Sequence, residues 1–354
     1  MKKLLALIVS MLIVLSLAAC GEKAETPSPE ASKDTASAAP TAGQEPSAAP
    51  TVDYPTKPVT FIVEYSAGGS SDLLSRAFCS VFQKHLGQTV NVENKPGGGG
   101  AVGATYILSQ PADGYTLFYA TSGVFTTLPY TQEVEYDPVN DYKYVAGFAM
   151  HDVLLVVPAD SPYQTLDDYI EAAKAGPDVV AYGQSSPGGT THMLMEEFQE
   201  KADIDLNMIA YENGAAEITA ALLGGHLESA QTHPQDVMEH LKAGTLRALA
   251  IFSDERRPSM PDVPTMKECG IDIAVGVPRG IAVHKDTPDE IVAILDKAVQ
   301  ETLADPEYLE VATKANEADS MHYMSGSELK EMLVSMTESA LPIMERLGLL
   351  PEGG

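Results

Sequence analysis

From residue 58 to the C-terminus, short apolar runs alternate with segments in which apolar residues recur every three to four positions. Residues 59–63 form the first run, and their β-branched and aromatic side chains predict a buried strand. A Gly/Ser-rich break follows, and beyond it the apolar residues have helical spacing: Leu73, Leu74, Ala77, Phe78, Val81 and Phe82. Ser70 or Ser71 is placed to cap this predicted helix, and Gly87 is placed to end it.

The same alternation continues along the rest of the chain. Further strands are predicted at 90–94, 116–120, 154–158, 179–183, 206–211, 227–232, 246–252 and 276–283. Helices are predicted at 101–110, at 165–175, from 193, at 215–223, up to 243, and in three segments from 289 onward. Strands that alternate with helices indicate an α/β fold with a parallel or mostly parallel sheet covered on both faces.

The loop after the first strand is a candidate anion site. A helix that begins at a Gly-rich loop offers unpaired backbone N–H groups and the positive end of its dipole. We therefore expect this loop to hold a carboxylate. Its candidate ligand-binding residues are Tyr65, Ser66, Ala67, Gly68, Gly69, Ser70, Ser71 and Asp72.

Polar loops also follow the other predicted strands, at the sheet edge where open α/β folds bind ligands. The loop after residue 183 is a close echo of the first one, with hydroxyls, glycines and a histidine before a helix. It contributes the candidates Gln184, Ser185, Ser186, Gly188, Gly189, Thr190 and His192. The remaining strand ends contribute Thr121, Ser122, Tyr211, Asn213, Gly214 and Thr232.

Arg279 lies in an apolar, strand-like run, where a buried guanidinium needs an anionic partner. Either a bound carboxylate or an internal acidic residue would satisfy it. The sequence leaves both alternatives open, and it does not determine whether Arg279 faces a binding cleft.

Three catalytic or cofactor patterns are incomplete. Residues 98–103 fit GxGxxG, but no acidic residue for a ribose follows at 117–121, and no Gly-Lys-Ser/Thr is present. His192 could serve Ser185 or Ser186, but the GxSxG elbow is missing, so a hydrogen-bonding or capping histidine is favoured. The histidines lack metal-ligand spacing. We therefore predict a binding protein with no catalytic residue, no metal and no cofactor.

The formal net charge of −28 over 354 residues argues against nucleic acid or an anionic membrane surface as a partner. The length and a hydrophobic content of 44% allow a sizeable core. Of the three cysteines, Cys79 is expected to be an inert buried thiol, and a bridge between Cys79 and Cys269 cannot be deduced from spacing.

The N-terminus is typical of a bacterial lipoprotein. Lys2 and Lys3 precede an apolar run at 4–17 and a small-residue site that ends at Cys20. We predict a signal peptide at 1–19, lipidation of Cys20, and a disordered Pro/Ala/Ser/Thr tether over 20–53. The protein is then expected on the outer face of the cytoplasmic membrane or in the periplasm.

The body from about residue 54 to the C-terminus resembles the extracytoplasmic solute receptors of the tripartite tricarboxylate transporter family, also called Bug receptors. The resemblance is carried by segments in this order: Tyr54-Pro55-x-Lys57-Pro58-Val59, Ala67-Gly68-Gly69-x-x-Asp72, Val92-Glu93-Asn94-Lys95-Pro96-Gly97, Ala112-Asp113-Gly114-Tyr115-Thr116-Leu117, Leu246-Arg247-Ala248-Leu249-Ala250, Arg256, and Val263-Pro264-Thr265-x-x-Glu268-x-Gly270. Glu64 departs from the family pattern, in which proline-rich sequence is commoner at this point.

The resemblance implies a two-lobed periplasmic-binding-protein fold of type II, a Venus flytrap with two crossover strands. Lobe 1 would comprise 54–152 and 280–354, and lobe 2 would comprise 153–279. It also implies a monomer that binds a small organic carboxylate in the interlobe cleft by hinge closure and delivers it to membrane permease subunits. The alternative is a solute sensor, or a receptor for another transporter class with the same fold.

Overall fold

The computed structural model describes residues 52–177, 179–211 and 214–351, which contain two β-sheets. The predicted signal peptide, Cys20 and residues 21–51 of the predicted tether lie outside the described residues. The first sheet has the strand order β2-β1-β3-β10-β4-β11: β1 Val59–Val63, β2 Val90–Asn94, β3 Thr116–Thr121, β4 Tyr142–His151, β10 Val277–His284 and β11 Met321–Ser325. The second has the order β7-β6-β8-β5-β9: β5 Leu154–Pro158, β6 Ala181–Gln184, β7 Asn207–Ala210, β8 Ser229–Thr232 and β9 Leu246–Ile251.

Most of the helices follow a strand directly along the chain. They are α1 Ser70–Leu86, α2 Ala101–Leu108, α3 Ser122–Thr126, α4 Leu128–Thr131, α5 Leu166–Ala173, α6 Thr190–Ala202, α7 Ala215–Leu223, α8 Pro234–Lys242, α9 Asp289–Ala304, α10 Pro306–Lys314 and α11 Gly326–Arg346. Short 3₁₀ turns lie at Gly98–Gly100 and Ala318–Ser320. Among the described residues, no helix is both long and apolar enough to span a bilayer.

The prediction of mostly parallel sheets is wrong, because both sheets are mixed. Strand β1 runs parallel to β2 and β3, and β6 runs parallel to β7 and β8. The pairs β10–β3, β10–β4, β11–β4, β5–β8 and β5–β9 are antiparallel. Strand-helix alternation predicts parallel neighbours only where a helix connects them. The chain crosses between the sheets from β4 to β5 and from β9 to β10, and no helix lies in either connection.

The alternation of side chains along the strands buries apolar residues on both faces of each sheet. In β1, Phe61 and Val63 belong to one core cluster, whereas Ile62 belongs to the cluster on the other face. In β5, Leu155 and Val157 face one cluster and Leu154 and Val156 face the other. Each sheet has its own hydrophobic core, which is the basis of a two-lobed architecture.

The first strand and helix agree with the sequence except in two details. Leu73 was expected on the buried stripe of α1, but it is 61% exposed. Gly69, and not Ser70 or Ser71, is the N-cap, and no side chain caps the helix. Gly87 ends it as predicted, with a φ of +78° that suits glycine. Cys79 is buried as predicted, and burial raises its pKa. The bridge that the sequence left open is not formed, since Cys79 and Cys269 are both free.

Candidate functional site

The polar strand ends of the two sheets face a shared cavity of about 360 Å³. From the first sheet it is lined by Tyr65, Gly99, Thr121, Ser122, Gly123, Thr127, Leu128 and Thr131. From the second it is lined by Ser185, Ser186, Pro187, Gly188, Gly189, Thr190, Thr191, Ala215, Ile218, Gln231, Thr232, His233 and Asp236. Val277 and Arg279 of the crossing strand β10 complete the wall. The lining is rich in hydroxyl-bearing residues and in glycines, which leave the backbone accessible.

The loop before α6 is held in shape by two side chains. Gly188, at a φ of +78°, donates its N–H to Nδ1 of His192 over 3.0 Å. The buried Gln184 donates from Nε2 to the carbonyl of Ser186 and to Oγ1 of Thr191, each over 3.1 Å. These bonds fix a helix N-terminus against the cavity, where its dipole and unpaired N–H groups favour an anion.

A small hydroxyl cluster joins the two sides of the cavity. Oγ1 of Thr190 on α6 lies 3.2 Å from Oγ of Ser122 and 3.3 Å from Oγ1 of Thr126, both on α3. Nearby, Met193 of α6 packs against Ile343 and Met344 of α11. The helices that begin at opposite walls are thus in contact with each other.

Arg279 lines this cavity and is 9% exposed. Its Nη1 donates to the carbonyl of Pro278 over 3.2 Å, whereas its Nε has no hydrogen-bond partner. Among the described residues, no carboxylate lies within 4 Å of the guanidinium. Within the described part of the chain, the internal ion pair that the sequence left open is therefore not formed, and the Arg279 guanidinium lines the cavity.

Glu64 lies behind the wall and is completely buried. Its Oε1 accepts a hydrogen bond from Oγ1 of Thr121 over 2.5 Å, and its Oε2 has no partner. Burial raises the pKa of Glu64 to about 7, although the Thr121 hydroxyl and the charge of Arg279 oppose the shift. The Glu64 carboxyl interacts with the charge of Arg279, but no ion pair within 4 Å joins the two side chains.

Two functional candidates on the second sheet were missed. His233 and Asp236 follow β8, and both line the cavity. Burial, with the charges of His151 and Arg279, lowers the pKa of His233 to about 3, so this imidazole is neutral. Burial and the charge of Glu317 raise the pKa of Asp236 to about 6. The rule that placed Thr232 at a strand end extends to His233, the next residue, and to Asp236 in the first turn of the helix that follows.

Several predicted residues do not line the cavity. They are Ser66, Ala67, Gly68, Gly69, Ser70, Ser71, Asp72, Gln184, His192, Tyr211 and Gly214; Asn213 lies outside the described residues. Asp72 explains why the loop before α1 is not an anion site. Its Oδ2 accepts from the Gly68 N–H over 2.9 Å and pairs with Arg76, so the anion at the start of α1 is the protein's own.

The arrangement contains no nucleophile-base pair of the kind considered for Ser185 or Ser186. Nδ1 of His192 is occupied by the Gly188 N–H, and Nε2 faces Glu196 at 3.6 Å. The hydrogen-bonding role predicted for His192 is therefore confirmed. Among the described residues, no three His, Cys, Asp or Glu side chains are grouped so as to hold a metal.

Comparison with known proteins identifies the family. Residues 74–349 match the family described as the tripartite tricarboxylate transporter family receptor, TctC. The chain belongs to this family. The resemblance inferred from the sequence motifs is thereby confirmed, and members of the family are periplasmic solute-binding receptors.

Individual relatives agree with this assignment. The chain is 36% identical over 296 residues to a UPF0065 protein in the gbd 5′ region of Cupriavidus necator. The aligned region covers 84% of this chain and 89% of that protein. A ligand-free TctC solute-binding protein from Polaromonas is 30% identical, with a TM-score of 0.71 over 83% of this chain and 99% of the other. R. palustris Rpa4515 with adipate is 26% identical, with a TM-score of 0.74 over 84% and 100%. The two-lobed fold is confirmed.

Proposed function

We propose that this chain is an extracytoplasmic receptor that captures a small carboxylate in the interlobe cavity and delivers it to a tripartite tricarboxylate-type permease. Arg279 carries the proposal, because its buried guanidinium has an unpaired Nε at the cavity wall. A buried charge without a partner is costly, and a carboxylate supplies both the charge and the hydrogen-bond acceptors that are missing. The relative with adipate supports a carboxylate as the ligand class.

The remaining contacts would come from neutral groups. Ser122 at the start of α3 and the 185–191 loop before α6 present hydroxyls and backbone N–H groups to the cavity. Helix N-termini stabilise anions without a counter-charge. We therefore assign the carboxylate to the space between Arg279 and the start of α6.

Capture would proceed by closure of two lobes, 54–152 with 280–354 and 153–279. A ligand that contacts both walls favours the closed conformation, because those contacts are complete only when the lobes meet. The hydroxyl contact between Ser122 and Thr190 lies across this boundary and is expected to break on opening. The permease would recognise the closed form, so the chain binds its solute without chemical change.

Arg279→Gln tests the carboxylate assignment. We expect isothermal titration calorimetry with adipate and a panel of mono-, di- and tricarboxylates to show a loss of affinity of about tenfold or more, since a charge-assisted hydrogen bond contributes about 1.5–3 kcal/mol. Arg256→Gln is the matched control, because Arg256 is exposed and pairs with Glu268 at 2.8 Å, away from the cavity. Equal affinities in the wild type and in Arg279→Gln would contradict the assignment.

The membrane attachment is a separate part of the proposal. We infer that Cys20 carries the lipid and that residues 21–53 hold the body away from the membrane. In cells, mass spectrometry of the wild type should find residue 20 as the N-terminus with a lipid on Cys20, and Cys20→Ser should carry no lipid. A wild-type protein with an unmodified Cys20 would refute this attachment.

A further inference from the structure

The cavity has two charged poles. Among the described residues that line it, the acidic and basic side chains are Arg279, Asp236 and His233, and His233 is neutral for the reasons given above. Arginine stays cationic, and Asp236 is predominantly ionised at pH 7.5. The wall therefore presents one cation and one anion to whatever is bound.

The two poles do not neutralise each other. No ion pair within 4 Å joins Asp236 to Arg279, although the charge of Arg279 lowers the pKa of Asp236. Arg279 is nine-tenths buried and keeps an unpartnered Nε. A ligand that desolvates both groups has to pair with each of them, because a buried charge without a partner is costly.

A purely structural role for Asp236 accounts for part of this arrangement. Asp236 lies in the first turn of α8, where an acidic side chain is favoured by the helix dipole and by the backbone N–H of His233. That role explains why the charge is tolerated at this position. It does not provide a counter-ion, and Glu317 lies close enough to repel the carboxylate.

We propose that the ligand is a zwitterion, an amino acid whose carboxylate pairs with Arg279 and whose ammonium group pairs with Asp236. This inference rests on the proposed function and narrows it. A dicarboxylate that placed its second carboxylate near Asp236 would meet repulsion, and a simple monocarboxylate would leave Asp236 without a partner. Leu128, Ile218 and Val277 form apolar parts of the wall that suit the side chain of an amino acid.

The test compares ligands that differ only at one position. The purified full chain is screened at pH 7.5 by thermal shift with about 10 mM of each of the twenty common L-amino acids and of adipate. For each amino acid that binds, calorimetry then compares it with the acid in which the ammonium is replaced by a hydroxyl and with the acid in which it is absent, as in aspartate, malate and succinate.

We expect at least one amino acid to bind about tenfold more tightly than both of its matched acids. Asp236→Asn should lower the affinity for that amino acid about tenfold and leave the affinity for the unsubstituted acid unchanged or higher. Glu239→Gln on the same helix is the control, since Glu239 is exposed and pairs with Lys242 at 2.9 Å. Thermal unfolding without ligand checks that each variant is folded.

The outcomes separate this inference from the proposed function. If adipate or an unsubstituted acid binds and no amino acid does, the zwitterion is excluded while carboxylate binding stands. Equal affinities for an amino acid and its hydroxy acid would exclude the ion pair with Asp236. So would an equal loss of affinity for the amino acid and for its unsubstituted acid in Asp236→Asn. If no acid of either kind binds, both proposals fail.

Discussion

Single residues decide the electrostatics of the cavity wall. The sequence singled out both Arg279 and Glu64. Arg279 was a candidate ligand-binding residue, and Glu64 was a departure from the family pattern. The structure puts Arg279 at the cavity and Glu64 behind it, where the Thr121 hydroxyl separates the carboxyl from the ligand space. Glu64 therefore influences the site through its charge and through Thr121, and its protonation state is a property of the folded protein.

Glu64→Gln should change how stability depends on pH. The folded-state pKa of Glu64, about 7, is above its ordinary value of 4.5, so the stabilisation is complete below pH 4.5 and is lost as the pH rises through 7. Relative to Glu64→Gln, the wild type should lose about 3 kcal/mol of unfolding free energy between about pH 4 and about pH 8. Urea denaturation of both proteins across this range measures the difference.

The comparison between the two proteins removes the contribution of all other titrating groups, which both share. A difference that stays constant from acid to alkaline pH would mean that Glu64 titrates with its ordinary pKa and is solvated in the folded protein. A difference that grows with pH in favour of the wild type would reverse the expected sign.

At the level of elements, the two Gly-rich loops look alike in sequence but do different work. The loop before α1 is closed by Asp72 and Arg76, and only Tyr65 from it reaches the cavity wall. The loop before α6 is closed by His192 and Gln184, so among the described residues no carboxylate closes this loop as Asp72 closes the first. The difference lies in the side chain that returns to each loop, which a pattern of glycines and serines does not reveal.

Gly188→Ala tests the role of the second loop. Gly188 has a φ of +78° and no atom within 4 Å of an added Cβ, so alanine brings backbone strain of about 1–2 kcal/mol without a clash. We expect this loss of stability in urea denaturation, together with an affinity for the carboxylate that falls about tenfold as the loop shifts.

Gly244→Ala is the matched control for that experiment. Gly244 has a φ of +67° and equally open space, but it lies between α8 and β9, outside the cavity lining. It should lose similar stability and keep its affinity. If Gly188→Ala kept the wild-type affinity, or if both variants lost affinity equally, the loop before α6 would not contact the ligand.

The whole molecule depends on the connection between the sheets. The chain leaves β4 at His151 and enters β5 at Leu154, and the intervening Asp152 is 3% exposed. Its carboxylate receives two hydrogen bonds of 2.5 Å from the guanidinium of Arg257, which follows β9. His233 donates from Nδ1 to the Asp152 carbonyl over 2.7 Å. The crossover is thereby fixed to the second sheet and to the cavity.

Arg257→Leu should destabilise the protein by about 3–5 kcal/mol, because it leaves the Asp152 carboxylate buried and unpaired. The double variant Asp152→Asn with Arg257→Leu removes the charge and should recover most of that loss. Chemical denaturation of the two single variants and the double variant provides the measurement. Independent, additive losses in the double variant would show that the pair is not coupled.

The sequence by itself determined the local elements and the family. Val59–Val63, Leu154–Pro158 and Ala215–Leu223 were predicted with the bounds the structure gives, because apolar period and flanking glycines or prolines are local signals. The Gly87 helix end and the buried Cys79 follow from the same patterns. The ordered motifs were enough to indicate a two-lobed solute-binding receptor.

Only the tertiary structure decided the strand directions and the composition of the cavity wall. Strand β4, the short helix α3 and strand β11 were not predicted, since β4 gains its pairing from β10, more than 120 residues further along the chain. Asp236 and Asp72 are both acidic residues in a first helical turn, yet one lines the cavity and the other closes its own loop. Local sequence places a side chain on an element, whereas the packing of distant elements determines what that side chain meets.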